Sequence, residues 1–258
     1  MLIAGILWCV ALVFALAPPA PPVATSQVDA ALTAIEVAGA KLQAFTADVA
    51  YRKDDALLGG GELRTGDMVY ERCDEAGARL AIRFEYRIDL GDMSRRRETK
   101  RVVFDEGWLV ESDESQRQFI KRQIVKPGDT ADPMRLGGPF PLPIGQKRAD
   151  VLRRFSVIEC EGEPDAFAVM KESSVMGLHL VPLPDSAASQ KWAYIDLWYD
   201  RETWLPVGVR AVEENGDMRR IRLTDLSPHE TLSEAATSQL SIELPGEGWS
   251  VDVQPWSE

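Results

Sequence analysis

The stretch RLAIRFEYRI, residues 79–88, decides how this chain is read. Leu80, Ile82, Phe84, Tyr86 and Ile88 alternate with Arg79, Arg83, Glu85 and Arg87. A period of two gives a β-strand one apolar face and one charged face. The pattern predicts Leu80, Ile82, Phe84 and Tyr86 turned toward a core or groove, with the charged set toward solvent unless a bulge intervenes.

On either side the same signal recurs. Strand candidates follow at 102–104, 108–112, 118–125, 167–171, 178–181, 191–199, 205–212, 218–225 and 239–244. Short polar turns at 200–203 and 214–217 separate several of them, which favours consecutive antiparallel hairpins. Strand and helix do not alternate, so a parallel sheet with helical crossovers is not expected. Upstream, Ser26 stands as the N-cap of an amphipathic helix reaching about Phe45, with Val28, Leu32, Ile35, Leu42 and Phe45 at helical spacing. A short second helix is expected over 149–155. Between about Lys126 and Phe155 the strand pattern breaks. The segment LGGPFPLPIGQ, 136–146, carries Phe140, Leu142 and Ile144 among glycines and prolines that no central strand accepts. It reads either as a loop plugging one end of a barrel or as a lid whose apolar side chains cover a ligand.

Composition bounds the function. The 258 residues, 45% hydrophobic, suffice for one domain with a substantial core. Lys plus Arg number 29 against 41 Asp plus Glu, a net charge of −12. A nucleic-acid partner would need a basic footprint that the chain as a whole lacks. The densest basic run, Arg95, Arg96, Arg97, Lys100 and Arg101, suits either an anionic headgroup or acidic partner, or a solvated hairpin.

Residues 2–17 are an apolar run that ends at Pro18, Pro19, Pro21 and Pro22. As a helix it would span roughly 24 Å, short of the roughly 30 Å hydrocarbon layer. Residues 1–24 are therefore expected to be a signal peptide and Pro-rich leader, and 25–258 the exported domain. No Lys or Arg precedes Lys41, and cleavage could fall at Ala17 or Ala24; a leader left in place would serve as an N-terminal anchor. Cys9 lies within the apolar run. Cys73 and Cys160 would remain in an oxidising compartment, as a disulfide or as two separate thiols.

Catalytic signatures are missing. The chain has no HExxH, GxSxG or GxxxxGK[ST] motif and no GxGxxG leading into a helix. His179 and His229 have no neighbours at metal-ligand spacing, and acidic pairs such as Asp113 with Glu114 read as charged turns. No enzyme, no metal and no cofactor is expected.

The order of the pieces resembles the LolA family of periplasmic lipoprotein carriers. LQAFTADVAY, 42–51, is similar to the family's helix running into its first strand. GDMVYER, 66–72, and RFEY, 83–86, resemble its second and third strands, and VFDEGWLVESDESQRQF, 103–119, its DG-marked hairpin. LHLVPLP, 178–184, IDLWYDRETWLPVGVRAVEENGD, 195–217, and the ELP at 243–245 continue in the family's order. Arg72 stands where the family carries a gating arginine, although Cys73 replaces the proline expected after it.

The resemblance implies a mainly β fold: an unclosed, strongly curved antiparallel barrel with an N-terminal helix and a short helical or loop lid. It further implies a periplasmic monomer that ferries lipoprotein acyl chains from an inner-membrane releasing complex toward an outer-membrane acceptor. Val69, Ile82, Phe84, Tyr86, Trp108, Phe119, Leu197 and Tyr199 would line the apolar groove, with Arg72, Phe140, Leu142 and Ile144 at its gate or lid. The alternative is an RseB-like periplasmic binding or sensor module that works through protein contacts. An envelope hydrolase using a carboxylate pair is a third reading.

Overall fold

The computed structural model describes residues 26–57, 59–73, 77–129, 144–160 and 175–257. Within them, α1 (Ser26–Lys41) is followed by β1 (Ala44–Asp54), β2 (Gly61–Cys73), β3 (Gly77–Asp89), β4 (Arg95–Asp105), β5 (Trp108–Asp113) and β6 (Gln118–Gln123). Then come α2 (Arg148–Arg154), β7 (Phe155–Glu159), β8 (Val175–Pro182), β9 (Trp192–Asp200), β10 (Pro206–Glu213), β11 (Met218–His229), α3 (Glu234–Ser238) and β12 (Ser250–Gln254).

The strands make one sheet in the order β12-β6-β5-β4-β3-β2-β1-β11-β10-β9-β8-β7. β12 and β7 stand at its two ends and do not pair, so the barrel is unclosed. Every neighbour pairs antiparallel except β12, which runs parallel to β6 from Ser250↔Gln118 to Gln254↔Arg122. One face carries the main apolar cluster, with residues from β1 to β4, β7 to β11 and both α1 and α2. β3 and β8 lie six positions apart in the strand order. On a flat sheet that is about 29 Å, at about 4.8 Å per strand, and a helix about 10 Å wide could not seal it. The sheet curls instead, with this face inside.

α1 turns Val28, Ala31, Leu32 and Ile35 into the cluster, the i, i+3, i+4, i+7 stripe of an amphipathic helix. It stops at Lys41, four residues before the expected end, because Phe45 belongs to β1 and stacks on Tyr70 at 5.3 Å between ring centroids. Leu42 and Phe45 suit a helical stripe or a strand face equally, and pairing with β2 decides between them.

β3 contains a bulge. Phe84 pairs with Gly66 and Tyr86 with Thr65, so Glu85 is an extra residue that no residue of β2 matches. Before it, Leu80, Ile82 and Phe84 face the inner cluster. After it the parity inverts: Arg87 reaches Glu62 and Glu98 on the inner face, while Tyr86 lies outside beneath the Arg95 guanidinium, 4.0 Å from its ring. This corrects the strict alternation expected of residues 79–88.

A second apolar cluster occupies the outer face. Val69, Ala81, Val103, Val110 and Phe119 are covered there by Ala236 and Leu240, with Leu232, Ile242 and Trp249 packed around them. The covering segment, expected as a strand over 239–244, is instead α3 and an irregular run. Its carbonyls at Gln239 and Ser241 accept from the Arg101 side chain rather than from a neighbouring strand. Ser233 caps α3, its Oγ accepting from Ala236 N at 3.3 Å. Ser233→Ala should cost about 1 kcal/mol, lowering the Tm by about 2–4 °C in thermal unfolding.

Candidate functional site

The concave face is the candidate site, and its character changes along the strands. On β1, Phe45, Ala47 and Val49 lead to Tyr51 and then Lys53; on β2, Tyr70 and Met68 lead past Gly66 to Arg64 and Glu62. On β11, Leu223 and Ile221 give way to Arg219, and on β10 Val209 and Ala211 give way to Glu213. Beyond the bulge, Arg87 continues the charged end on β3. The inner surface is thus apolar beneath α1 and ionic at the far end, with Tyr51 at the boundary, its ring 6.1 Å from that of Phe84.

Ion pairs fill the charged end. Arg64 is only 7% exposed; it donates from Nε to Glu62 at 3.2 Å and from Nη2 to Glu98 at 2.8 Å. Arg219 pairs with Glu213 at 2.6 Å. Burial raises the Tyr51 phenol pKa, against the opposing pull of Arg219. Tyr199, wholly buried in the apolar part, is pushed up by burial alone. Lys191 lies over the Trp192 ring at 4.5 Å, its ammonium pKa lowered by burial and by Arg219.

Of the residues expected to line the groove, the structure brings Ile82, Phe84, Leu197 and Tyr199 together in the inner cluster. The other four require correction. Val69 and Phe119 belong to the outer cluster beneath the C-terminal segment. Tyr86 is outside because of the bulge. Trp108 alternates with Leu109, which packs on the inner cluster, and so faces outward, with the Lys121 ammonium 4.6 Å from its ring. β2 and β3 bury both faces over part of their length, so apolar character alone did not distinguish inside from outside.

Arg72 and Ile144 meet the same end of α1. The Arg72 guanidinium donates to Gly39 O at 2.6 Å and Ala40 O at 3.1 Å, carbonyls of the helix's last turn. Ile144 is buried in the inner cluster, and Gly145 beside it lies so close to Gly39 that a β-carbon on Gly39 would be 1.9 Å from Gly145 Cα. Phe140 and Leu142 lie outside the described residues, as do the leader at 1–24 and the strand candidate at 167–171. Cys73 and Cys160 do not form a disulfide with each other.

Sequence reasoning missed a second polar assembly. On the outer face Asp196, 0% exposed, accepts from Arg210 Nε at 2.7 Å and lies 2.6 Å from His179 Nδ1. β8, β9 and β10 place one member each, and only strand register brings them together. His229, by contrast, meets Thr46 Oγ1 at 3.0 Å near the end of β11. Of the basic run, Arg95 stacks on Tyr86, Lys100 pairs with Glu111 at 3.3 Å and Arg101 holds the C-terminal segment, leaving Arg96 and Arg97 exposed. An open outer cleft of about 570 Å³ lies between Asp48, Asp67, Tyr86 and Arg222. Among the described residues no group of His, Cys, Asp and Glu is arranged to hold a metal ion, and no helix is long and apolar enough to cross a membrane.

No protein-family model matches the chain, and no curated protein matches it in sequence. Solved structures do resemble it. The MucA/MucB complex of Pseudomonas aeruginosa matches at 16% identity and a TM-score of 0.45, covering 84% of this chain and 62% of that one. An uncharacterized conserved protein from Thermus thermophilus matches at 13% identity and 0.47, covering 89% and 100%. A LolA superfamily protein from Nitrosomonas europaea matches at 10% identity and 0.31, covering 79% and 94%. The chain spans about three-fifths of the MucB chain's length. These likenesses assign neither ligand nor partner.

Proposed function

We propose that this protein is an exported, non-enzymatic carrier that takes lipid acyl chains on its concave face and ferries lipoproteins through the periplasm toward the outer membrane. The observation that carries the reading is the single apolar cluster on the inside of an unclosed sheet, lidded by a helix. Each methylene withdrawn from water contributes about 0.8 kcal/mol, so an exposed chain of roughly fifteen methylenes costs on the order of 12 kcal/mol. A carrier must supply a cover and then give it up. An apolar face makes few directional demands, so it takes chains of differing length and releases them to a better apolar acceptor.

The cover is held by few polar links. Arg148 reaches Asp29 with Nε at 2.6 Å, its backbone N–H donates to Glu36, and Arg72 holds the last turn of α1. Chains would enter as α1 and the Ile144 segment lift, replacing contacts of Leu32 and Ile35 with contacts of the acyl chain. The loading complex and acceptor are those the LolA resemblance implies, and the carrier works as a monomer.

The test is uptake of a fluorescent fatty acid by the purified protein, with mass spectrometry of lipids that co-purify from the envelope. Phe84→Asp and Leu197→Asp should each cut uptake sharply, because a carboxylate in an apolar site costs several kcal/mol; circular dichroism checks that the variants fold. If the folded wild type takes up no probe and carries no lipid, the carrier reading fails and a module acting through protein contacts replaces it.

A further inference from the structure

Among the described residues, the charged end of the concave face has donors that no protein group uses. Arg64 is nine-tenths buried, yet its Nη1 has no hydrogen-bond partner, while Nε and Nη2 are committed to Glu62 and Glu98. Arg219 is half-buried: its Nη2 lies 2.6 Å from Glu213 Oε1, itself a buried oxygen without a hydrogen bond, and its buried Nε has no partner among the described residues. A buried donor left without an acceptor is costly, so two of them in one place mark a position where an acceptor belongs.

The two arginines flank one tyrosine. Tyr51 pairs directly with Arg64 across β1 and β2, and with Ile221 across β1 and β11; Arg219 lies two residues beyond Ile221 on the same face. Both guanidinium groups are near enough to act on the phenol electrostatically. Guanidinium groups suit phosphate and carboxylate oxygens, donating to them through several N–H groups at once. Phe84 lies against Tyr51, so the donors begin where the apolar cluster stops. The inner face is therefore itself arranged like an amphiphile, apolar under α1 and cationic-donor at its far end.

We propose that this end of the concave face binds the anionic headgroup, phosphate or carboxylate, of an amphiphile whose chains lie along the apolar cluster. The inference rests on the carrier reading and narrows it to acidic lipids. An alkyl phosphate, the alcohol of the same chain length and inorganic phosphate would each be titrated against the full-length protein by calorimetry. The wild type should bind the alkyl phosphate about tenfold or more tightly than the alcohol, the size of one hydrogen bond to a charged group. Arg219→Met, at the more exposed of the two arginines, should reduce that preference and leave the alcohol unaffected. Arg64→Gln combined with Glu98→Gln, which removes a buried cation and a buried anion together, should do the same.

Equal binding of alkyl phosphate and alcohol would overturn the headgroup site and leave the apolar groove standing. Binding of neither amphiphile would overturn both. Binding of inorganic phosphate alone, weakened in the variants, would show an anion site and refute the lipid as its source.

Discussion

Gly66→Ala should destabilise the protein by at least about 3 kcal/mol, lowering the Tm by about 10 °C. A β-carbon at Gly66 would lie 1.8 Å from Arg83 O, 2.7 Å from Arg83 C and 2.8 Å from Phe84 Cα. All three are backbone atoms of β3, so no rotamer relieves the overlap. Gly66 faces Phe84 immediately beside the bulge, and the close approach there is part of how Glu85 is extruded. Forcing the strands apart would unseat the pairs on which Arg64 and Arg87 converge upon Glu62 and Glu98. Gly208→Ala is the control. Its β-carbon would lie 3.5 Å from Trp198 Cε3, 3.7 Å from Ile221 O and 3.9 Å from Trp198 Cβ, all ordinary contacts, so it should be neutral or slightly stabilising. Thermal unfolding followed by circular dichroism separates the two. Equal melting temperatures would show that the approach at Arg83 does not hold in solution.

Gly66 also marks how far the sequence could be read. Alternation at 80, 82 and 84 identified the strand and its inner face correctly, because a half-buried strand states its faces in its own residues. The bulge at Glu85 is invisible in that pattern. It depends on a glycine in another strand, and one extra residue moves Tyr86 outside and Arg87 inside. The N-terminal helix and the hairpins around 200–203 and 214–217 were legible, since each rests on local signals. β12 was not: its five residues are all exposed, and a parallel addition at the edge leaves little trace in composition.

Which residues face the concave side was legible to a similar depth. Ile82, Phe84, Leu197 and Tyr199 could be placed there because their strands are apolar toward one side at those positions. Val69 and Phe119 looked identical in the sequence, but a second cluster lies beneath the C-terminal segment, and no periodicity reveals that a strand is covered twice. The ionic end of the concave face escaped for the opposite reason. Nothing in the sequence singles out Arg64 and Arg219, since ionisable side chains are almost never buried unless paired, and their pairing is set by register.

Arg210→Met should cost about 3–5 kcal/mol, the penalty expected when a buried charge loses its partner. Asp196 is fully buried although it lies on the outer face, because His179, Arg210, Tyr194 and Trp198 close over it. Its Oδ2 takes Arg210 Nε at 2.7 Å and Nη2 at 2.6 Å, and its Oδ1 lies against His179 at 2.6 Å. Burial alone would lower the Arg210 pKa, but the hydrogen bond and charge of Asp196 outweigh it and hold the guanidinium more firmly protonated. Removing Arg210 leaves the carboxylate with the histidine alone, at the junction of β8, β9 and β10. The double variant Arg210→Met with Asp196→Asn removes the charge along with its partner and should recover most of the loss. A double-mutant cycle built on urea midpoints reads the coupling directly. A coupling near zero would mean that solvent, rather than Arg210, balances Asp196, and that the three strands are held by their backbone ladders and the inner cluster alone.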